Sequence, residues 1–447
     1  MKMEHFIRKL MDVSVHNGIS CAEAYIVHES NFQCKAVKGQ ISDYSVNETM
    51  GVGLRGMVNG KIGYAASEAF DNSAVNDLIS GVIESAELSE DDSGMTIYHG
   101  EIEYPTVKAY NPALDRISIN EKLQLCLDIE KEAMQHDKRI DSVPYCFVET
   151  SSGQVRLVNS LGLDIAYQSN HCAAFLMPVA KDGECVSTAT AVCCNHDFQK
   201  ISAKDIAVEA VERALFALHG KPVESGNYRV IIINETMAEF LSAFIGVFSA
   251  ENAQEGMSLL NNKEGEMVAS ESVTLIDDPL LENGIASKPF DAEGVACNTK
   301  SVICDGKLIT LLHNRKTASK QGIASTGNAG KAGYAGTIRI QPTNFFIKPG
   351  CACLSEMEKS MGDGLVITSL DGLHSGTNAV SGDFSLAAKG YMVCAGVKVR
   401  PVEQITIAGN FYSLLKSIRD IGNDLVFPGF GIGSPSVDIG EISVAGL

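Results

Sequence analysis

The sequence predicts an α+β protein, with a helix and antiparallel-sheet domain over residues 1–220 and a mainly β domain over residues 221–447. In the first part, stretches of helical apolar period are separated by runs of two-residue alternation. The second part keeps the helical period in few places. Pro, Ser and Gly cluster at residues 221–226, which suits a domain boundary. Helices and strands do not alternate one by one, so a doubly wound parallel sheet is not expected.

The N-terminal elements have clear local signals. Apolar residues at helical spacing predict a first helix over residues 3–16, closed by Asn17-Gly18. Alternation predicts an antiparallel meander over residues 22–66, in which Asn59-Gly60 forms a type I′ hairpin turn because both residues tolerate positive φ. The helical period returns over residues 71–87.

An acidic and Pro-containing segment over residues 88–115 is expected to be a surface connection. After this segment, stretches of helical period and of strand alternation follow one another again. It predicts a helix over residues 119–135, strands over 142–150, 155–159, 164–179 and 185–194, and a helix over 201–218.

The stretch Tyr228 to Ala250 is central to the functional interpretation. A β-branched run over residues 228–233 predicts a strand, and Thr236 with Glu239 has the spacing of a capping box, so a helix is expected to start there. One face of this helix is an apolar stripe made of Met237, Phe240, Leu241, Phe244, Ile245 and Phe248. The opposite face carries only small residues, namely Ser242, Ala243, Gly246, Ser249 and Ala250. A tightly packed core helix explains this pattern without any chemistry.

After this helix the sequence predicts mainly strands and turns. A hairpin is expected about Asp305-Gly306, and one more helix over residues 411–420. The predicted strands cover residues 337–347, 364–369, 387–394, 398–407 and 439–445.

Composition excludes several classes of function. The formal net charge of −19 would repel the phosphate backbone, so sequence-independent binding to nucleic acid is not expected. No run of 18 apolar residues is present and the N-terminus is charged and amphipathic, so we expect a soluble cytoplasmic protein without a membrane segment. The 13 cysteines are scattered in apolar surroundings, as buried reduced thiols are.

The sequence contains no complete motif for catalysis, metal binding or phosphate binding. His313 and His374 lie in or beside predicted turns, and Cys351 and Cys353, with Cys394 as a third thiolate, form only an incomplete metal pattern. The Gly-rich segment over residues 325–336 lacks the spacing of a P-loop. Its glycines recur every third residue, which suits either a mobile loop or backbone running against a neighbour or an extended peptide; the four are Gly327, Gly330, Gly333 and Gly336.

The segment from Leu373 to Asn410 carries a more specific signal. It contains Gly376-Thr377-Asn378, Gly382-Asp383-Phe384-Ser385 and the run Pro401 to Asn410 (PVEQITIAGN). With Thr326-Gly327-Asn328-Ala329 and the closing Val444-Ala445-Gly446, it resembles the TldD/PmbA family, also called modulators of DNA gyrase. The layout is similar over essentially the whole chain.

The resemblance implies a comparison with the zinc site of the TldD branch, where a helix carries His-Glu-x-x-x-His and a C-terminal cysteine completes the ligands. Zinc in such a site lowers the pKa of its bound water and so makes a nucleophile. In this sequence Ser242 and Val247 stand at the histidine positions, Ala243 at the glutamate and Gly431 at the cysteine. We therefore expect no catalytic residue, no metal ligand and no cofactor in this chain.

By this resemblance the chain is similar to the PmbA (TldE) branch, the non-catalytic partner of a TldD-type zinc peptidase that processes or degrades short unfolded peptides. The expected partners are a TldD-type subunit that carries the zinc, and a peptide that runs along the Gly-rich backbone. Two alternatives stay open: a self-sufficient peptidase that uses Cys351, Cys353, His313 or His374, and a protein that binds gyrase. The sequence also leaves open a homodimer in the absence of the partner.

Overall fold

The computed structural model describes residues 2–89, 96–429 and 431–447. Part of the predicted surface connection, residues 90–95, lies outside the described residues. The fold is α+β, as predicted, with a helix-and-sheet first half and a strand-rich second half. None of the described helices is long and apolar enough to cross a membrane.

The first half is built on one antiparallel sheet. Its strands pair in the order β3-β2-β1-β4-β5-β6, and β7 pairs with β5. In chain order the elements are α1 Met3–His16, β1 Cys21–Val37, β2 Gln40–Val58, β3 Lys61–Ser67, α2 Asn72–Leu88, α3 Ile119–His136, β4 Ile140–Asn159, β5 Asp164–Asp182, β6 Cys185–Thr188, β7 Ala191–Asn195 and α4 Ala203–Ala217.

All four helices of this half cover one face of the sheet. Along β1, Ala24 and Ile26 enter the apolar cluster under α1 and α2, and Phe32 and Cys34 enter the cluster under α3 and α4. These positions have the same parity, and alternate residues of a strand point to the same face.

The local signals of the first half are confirmed. Helix α1 has the predicted bounds, and Asn59 and Gly60 have φ values of 51° and 82°, as a type I′ turn requires. Two predictions are wrong. Residues 142–150 and 155–159 are parts of the single strand β4, because β4 pairs on both sides with β1 and β5 along most of its length. The predicted strand over residues 185–194 is two strands, β6 and β7, which pair with different parts of β5.

The second half contains a closed ring of strands and a second sheet. Its elements are β8 Gly226–Ile232, α5 Asn234–Ala243, α6 Ala250–Gln254, β9 Leu275–Asp277, β10 Lys300–Cys304, β11 Lys307–Leu308, α7 Arg315–Gln321, β12 Ala329–Gly330, β13 Arg339–Ile340, β14 Phe345–Ile347, α8 Leu354–Met361, β15 Gly364–Asp371, β16 Asp383–Cys394, β17 Val397–Asn410, α9 Phe411–Ser417, β18 Asp420–Ile421, β19 Ile432–Gly433 and β20 Val437–Ala445.

The ring closes because β17 pairs with both β16 and β20, and the remaining pairs are β16-β15, β15-β8 and β8-β20. Only the β8-β15 pair within this ring is parallel. A separate sheet has the order β11-β10-β9-β14-β19. The largest apolar core of the described chain combines α5 with side chains of both sheets.

Two predictions for the second half are incomplete. The helices α7 and α8 were not predicted, because each is short and has few apolar residues. The predicted strand over residues 337–347 is two short strands, β13 and β14, which pair with different partners.

The central helix starts earlier than predicted. Helix α5 begins at Asn234 with Ile233 as its N-cap, and Thr236 is buried within its first turn instead of capping it. The Asn234 backbone N–H donates to Ser436 Oγ at 3.1 Å, and its side-chain amide donates to the Asp424 carbonyl at 2.9 Å. The Glu235 N–H donates to the Asn234 side-chain oxygen at 2.8 Å, so the first two N–H groups have partners without a capping box from Thr236.

The same helix also ends earlier than predicted, at Ala243. A 3₁₀ segment, Ile245–Phe248, separates it from α6. The Leu312 N–H donates to the Phe248 carbonyl at 2.9 Å, and the Ala250 N–H donates to the Leu312 carbonyl at 3.0 Å. This strand-like pairing replaces the helical hydrogen bonds of residues 248–250.

Candidate functional site

The predicted apolar stripe of the central helix lies in the protein core. Phe240, Phe244 and Phe248 are fully buried, together with Phe411. The rings of Phe244 and Phe411 stack with centroids 4.5 Å apart and planes 7° from parallel. Burial of such aromatic side chains stabilises the fold, so this face of the helix has a structural role.

The four positions predicted to match the zinc site of the family have different surroundings. Ser242 is exposed on α5, and Ala243 beside it is partly buried. Val247 is fully buried in the core of the second half. Gly431 has a φ of 82°, and a β-carbon there would lie 2.6 Å from the Thr343 carbonyl oxygen. The four positions therefore differ in burial, from an exposed serine to a fully buried valine.

These positions do not fit a zinc ion. Zinc takes sulfur, imidazole nitrogen or carboxylate oxygen as ligands, and methyl, isopropyl and hydrogen side chains supply none. Ser242 offers only a neutral hydroxyl group. Nowhere in residues 2–89, 96–429 and 431–447 do three His, Cys, Asp or Glu side chains form a group that could hold a metal ion.

The structure does not bring the alternative chemical residues together. His313 is fully buried, and its Nδ1 lies 3.2 Å from Thr317 Oγ1. Burial lowers the pKa of this imidazole. His374 and Cys351 are exposed to solvent. Cys353 caps α8, where its backbone N–H donates to Glu356 at 2.9 Å, and Cys394 lies at the end of β16.

The glycines of the Gly-rich segment occupy two environments. Gly327 and Gly330 are buried, whereas Gly333 is exposed in a turn and Gly336 is partly exposed. Between them, Tyr334 packs against β2 of the first half and its hydroxyl donates to Glu68 at 2.5 Å. The segment is therefore a contact between the two halves of the chain. Its use as a peptide channel stays a prediction.

A buried charge network lies beside this contact. Arg55 donates to Glu23 at 2.7 Å and to Glu293 of the second half at 3.3 Å, and all three side chains are buried. The Lys331 ammonium lies 4.8 Å from the centre of the Tyr25 ring, and burial lowers its pKa to about 8. This network was not predicted from the sequence. The pairing of β1 with β2 could have indicated it, because the register places Glu23 directly opposite Arg55.

An open groove of about 350 Å³ runs along part of the predicted small-residue face. Gly246, Ser249 and Asn252 form one wall, and the segment 337–342 forms the other. The Asn252 side-chain amide donates to the Gly246 carbonyl at 2.8 Å, which fixes this wall. Small side chains leave the backbone within reach of an extended peptide.

Comparison with known proteins places this chain among metallopeptidase relatives. Three family models match in order: PmbA/TldA metallopeptidase domain 1 over residues 22–87, the central domain over residues 112–218, and the C-terminal domain over residues 225–446. The metalloprotease PmbA of Escherichia coli O157:H7 is 25% identical over 450 residues, which cover 98% of this chain and 97% of that one.

Solved structures share the whole fold. A Thermotoga maritima protein described as a candidate modulator of a DNA gyrase has 30% sequence identity and a TM-score of 0.93, and the match covers 99% of this chain and 100% of the other. TldE from Thermococcus kodakarensis has a TM-score of 0.91 with 21% identity, over 99% of this chain and 100% of that one. At that identity the TldE likeness shows the fold alone.

Proposed function

Since this chain belongs to the PmbA/TldD metallopeptidase family, we propose that it is a non-catalytic subunit of the PmbA/TldE type. It works with a TldD-type partner that carries the zinc and cuts the peptide. The substrates of the complex are short unfolded peptides, which this subunit helps to bind and enclose.

One observation carries the proposal. The two positions aligned with histidine ligands are an exposed serine, Ser242, and a fully buried valine, Val247. Replacing side chains at these positions would not restore a site without also moving Val247 out of the core. An exposed hydroxyl group and a buried isopropyl group supply no zinc ligand at these positions, which supports the proposal of a non-catalytic subunit.

The groove beside Gly246 and Ser249 supports the role in peptide binding. It lies next to the helix aligned with the family site, and one wall includes the short strand β13. A peptide can add to such a wall through backbone hydrogen bonds, which do not depend on its sequence. This is the property expected of a subunit that handles unfolded peptides of many kinds.

We propose the cytoplasm as the place of action, because all 13 cysteines are free thiols. This state is usual in a reducing compartment. In the absence of the partner subunit, a homodimer is the assembly to look for.

The test has two measurements. The purified lone chain, dialysed against a chelator, is expected to retain no stoichiometric zinc and to leave an unstructured peptide intact. Addition of a TldD-type subunit is expected to produce cleavage that the chelator abolishes. Stoichiometric zinc in the lone chain contradicts the proposal, as does cleavage without the partner.

Isolation of the protein from its own cells tests the partner directly. Recovery of a TldD-type subunit with this chain is expected. Recovery of gyrase without any TldD-type subunit would favour a gyrase-binding protein, the function suggested by the description of the Thermotoga maritima relative.

A further inference from the structure

More than half of strand β2 forms an open edge of the first sheet. On one side β2 pairs with β1 from residue 40 onward, but on the other side β3 pairs only with residues 52–58. Within the described chain, residues 40–51 therefore have no strand on that side. At about 3.4 Å per residue this open edge is about 40 Å long, and every second residue along it presents an unpaired backbone N–H and C=O group.

The open edge lacks the usual features that prevent strand pairing. Residues 40–51 contain no Pro, Lys or Arg, and the ladder with β1 has its register shift only near the start of β2. Natural edge strands are commonly protected by such residues or by a bulge. Large apolar side chains are instead exposed here: Tyr44, Val46 and Met50 are 56%, 54% and 38% exposed. The open edge is therefore suited to binding another strand.

The two ends of the open edge limit how a second copy can pair with it. One end is the turn at Lys38-Gly39, where β2 follows β1, and the other is the first pair with β3, Val52 opposite Ser67. Two antiparallel copies of residues 40–51 fit fully side by side when their centres coincide. A two-fold axis through this centre relates the copies and gives both the same contact.

The apolar residues favour a register centred on Ser45. In that register, Tyr44 of each copy lies opposite Val46 of the other, so the same pair forms twice. Residues directly opposite each other point to the same face of a sheet. Pairs of an aromatic and a β-branched side chain across two strands are favourable. Two of the exposed apolar side chains thus cover each other.

The carboxylates of the open edge are compatible with the same register. Asp43 lies opposite Asn47 of the other copy and Glu48 lies opposite Ser42, so amide and hydroxyl donors face the carboxylates. Within its own chain, Glu48 Oε1 lies 2.8 Å from His28 Nε2. No two carboxylates of the edge therefore face each other, although the net charge of −19 on each chain repels at longer range.

We propose that two copies of this chain pair edge to edge through residues 40–51 of β2, about a two-fold axis at Ser45. The first sheets of the two copies then form one continuous antiparallel sheet. This inference rests on the homodimer proposed above for the lone chain, and it assigns the surface and the register of that homodimer.

The test is sedimentation velocity of the whole lone chain at several concentrations, in about 0.15 M salt to screen the net charge. A dimer is expected. Combining Tyr44→Lys with Val46→Lys places like charges opposite each other twice and should weaken association at least about tenfold. Combining Tyr44→Lys with Val46→Glu is the matched control, because opposite charges then face each other and the dimer should persist. Circular dichroism checks that both variants are folded.

Cross-linking tests the position of the axis. Ser45→Cys places a thiol opposite its own copy, at a distance that a disulfide can span, so mild oxidation with diamide should yield a covalent dimer. Asn47→Cys is the matched control on the same face of the sheet. Its α-carbon would lie about 14 Å from that of its copy, which is too far for a disulfide. The unaltered protein is treated in parallel, because Cys351 is exposed.

Four results would overturn the proposal. A dimer that persists in the like-charge variant, or equal cross-linking of the two cysteine variants, would place the contact elsewhere and leave the homodimer standing. A chain that stays monomeric would overturn the homodimer as well. A monomer that binds an unstructured peptide, and loses it in the like-charge variant, would assign the open edge to a peptide. These measurements involve no zinc and no cleavage, so the proposed peptidase partnership is tested separately.

Discussion

Gly53 and Tyr334 touch across the boundary between the two halves of the chain. A β-carbon on Gly53 would lie 1.9 Å from the Tyr334 carbonyl oxygen, and one on Gly51 would lie 2.4 Å from the Tyr334 ring. The Gly-rich segment can approach β2 this closely only because both positions lack a side chain. Docking of the two halves thus depends on a pair of glycines in the first half.

The Gly53→Ala variant should therefore be less stable. Relief of the clash requires a backbone shift of the docked segment, at a cost of about 1–3 kcal/mol or more. Thermal unfolding should show a midpoint several degrees below that of the unaltered protein. Gly153→Ala in β4 is the matched control, because its β-carbon would have no neighbour nearer than 3.6 Å. Equal midpoints for the two variants would refute the close contact.

Removal of the buried cation should be costly. Arg55→Met leaves the buried carboxylates of Glu23 and Glu293 without their counter-ion, and breaking such a group costs about 3–5 kcal/mol. Lys108→Met breaks the pair with Glu282, whose side chains are 80% and 71% exposed, and should cost less than about 1 kcal/mol. Urea unfolding measures the free energy of unfolding of both variants. Equal losses of stability would show that burial does not make the Arg55 network more important than an exposed ion pair.

Lys331 should make stability depend on pH in the alkaline range. Burial lowers its folded pKa to about 8, whereas the pKa in the unfolded chain is about 10.4. Between these values the unfolded chain binds more protons, so this residue's contribution to stability rises with pH. Lys331→Met should be comparatively most stable below pH 8 and lose that advantage by about pH 10.4.

The measurement is the unfolding midpoint of both proteins across this range of pH. Lys348→Met is the control, because Lys348 is exposed. Its difference from the unaltered protein should stay constant. A constant difference for Lys331→Met as well would mean that the ammonium is hydrated in the folded protein.

Histidine should be tolerated very differently at the two aligned positions. Ser242→His places an imidazole in solvent and should change stability by no more than about 0.5 kcal/mol. Val247→His buries an imidazole among apolar side chains without a partner, at a cost of at least about 2 kcal/mol. Guanidinium unfolding compares them. Stable folding of the double variant with bound zinc would contradict the surroundings described for Val247.

Much of the fold follows from local sequence. The helix over residues 3–16 and the Asn59-Gly60 turn were predictable because their signals lie within a few residues of one another. Helix α7 also has local signals that were overlooked: the Asn314 side chain accepts from the Thr317 N–H, and Gly322 ends the helix in the left-handed region. For a short polar helix, the residues that cap its two ends are a better signal than the spacing of its apolar residues.

The central helix could not be delimited in this way. Ser436 and Asp424 bind Asn234 at its start, and Leu312 pairs with residues 248 and 250 beyond its end; all three are far away in sequence. The same limit applies to the candidate site. The family resemblance predicts Ser242 and Val247 at the histidine positions, but only the fold shows that one is exposed and the other buried.

The closed ring of strands constrains how the second half is made. Strand β20 lies between β8, at the start of this half, and β17. While the ribosome is still producing the residues before Val437, the free edges of β8 and β17 remain open to wrong pairing. The second half can complete its ring only after synthesis has passed Ala445, so its earlier strands must wait for their last neighbour.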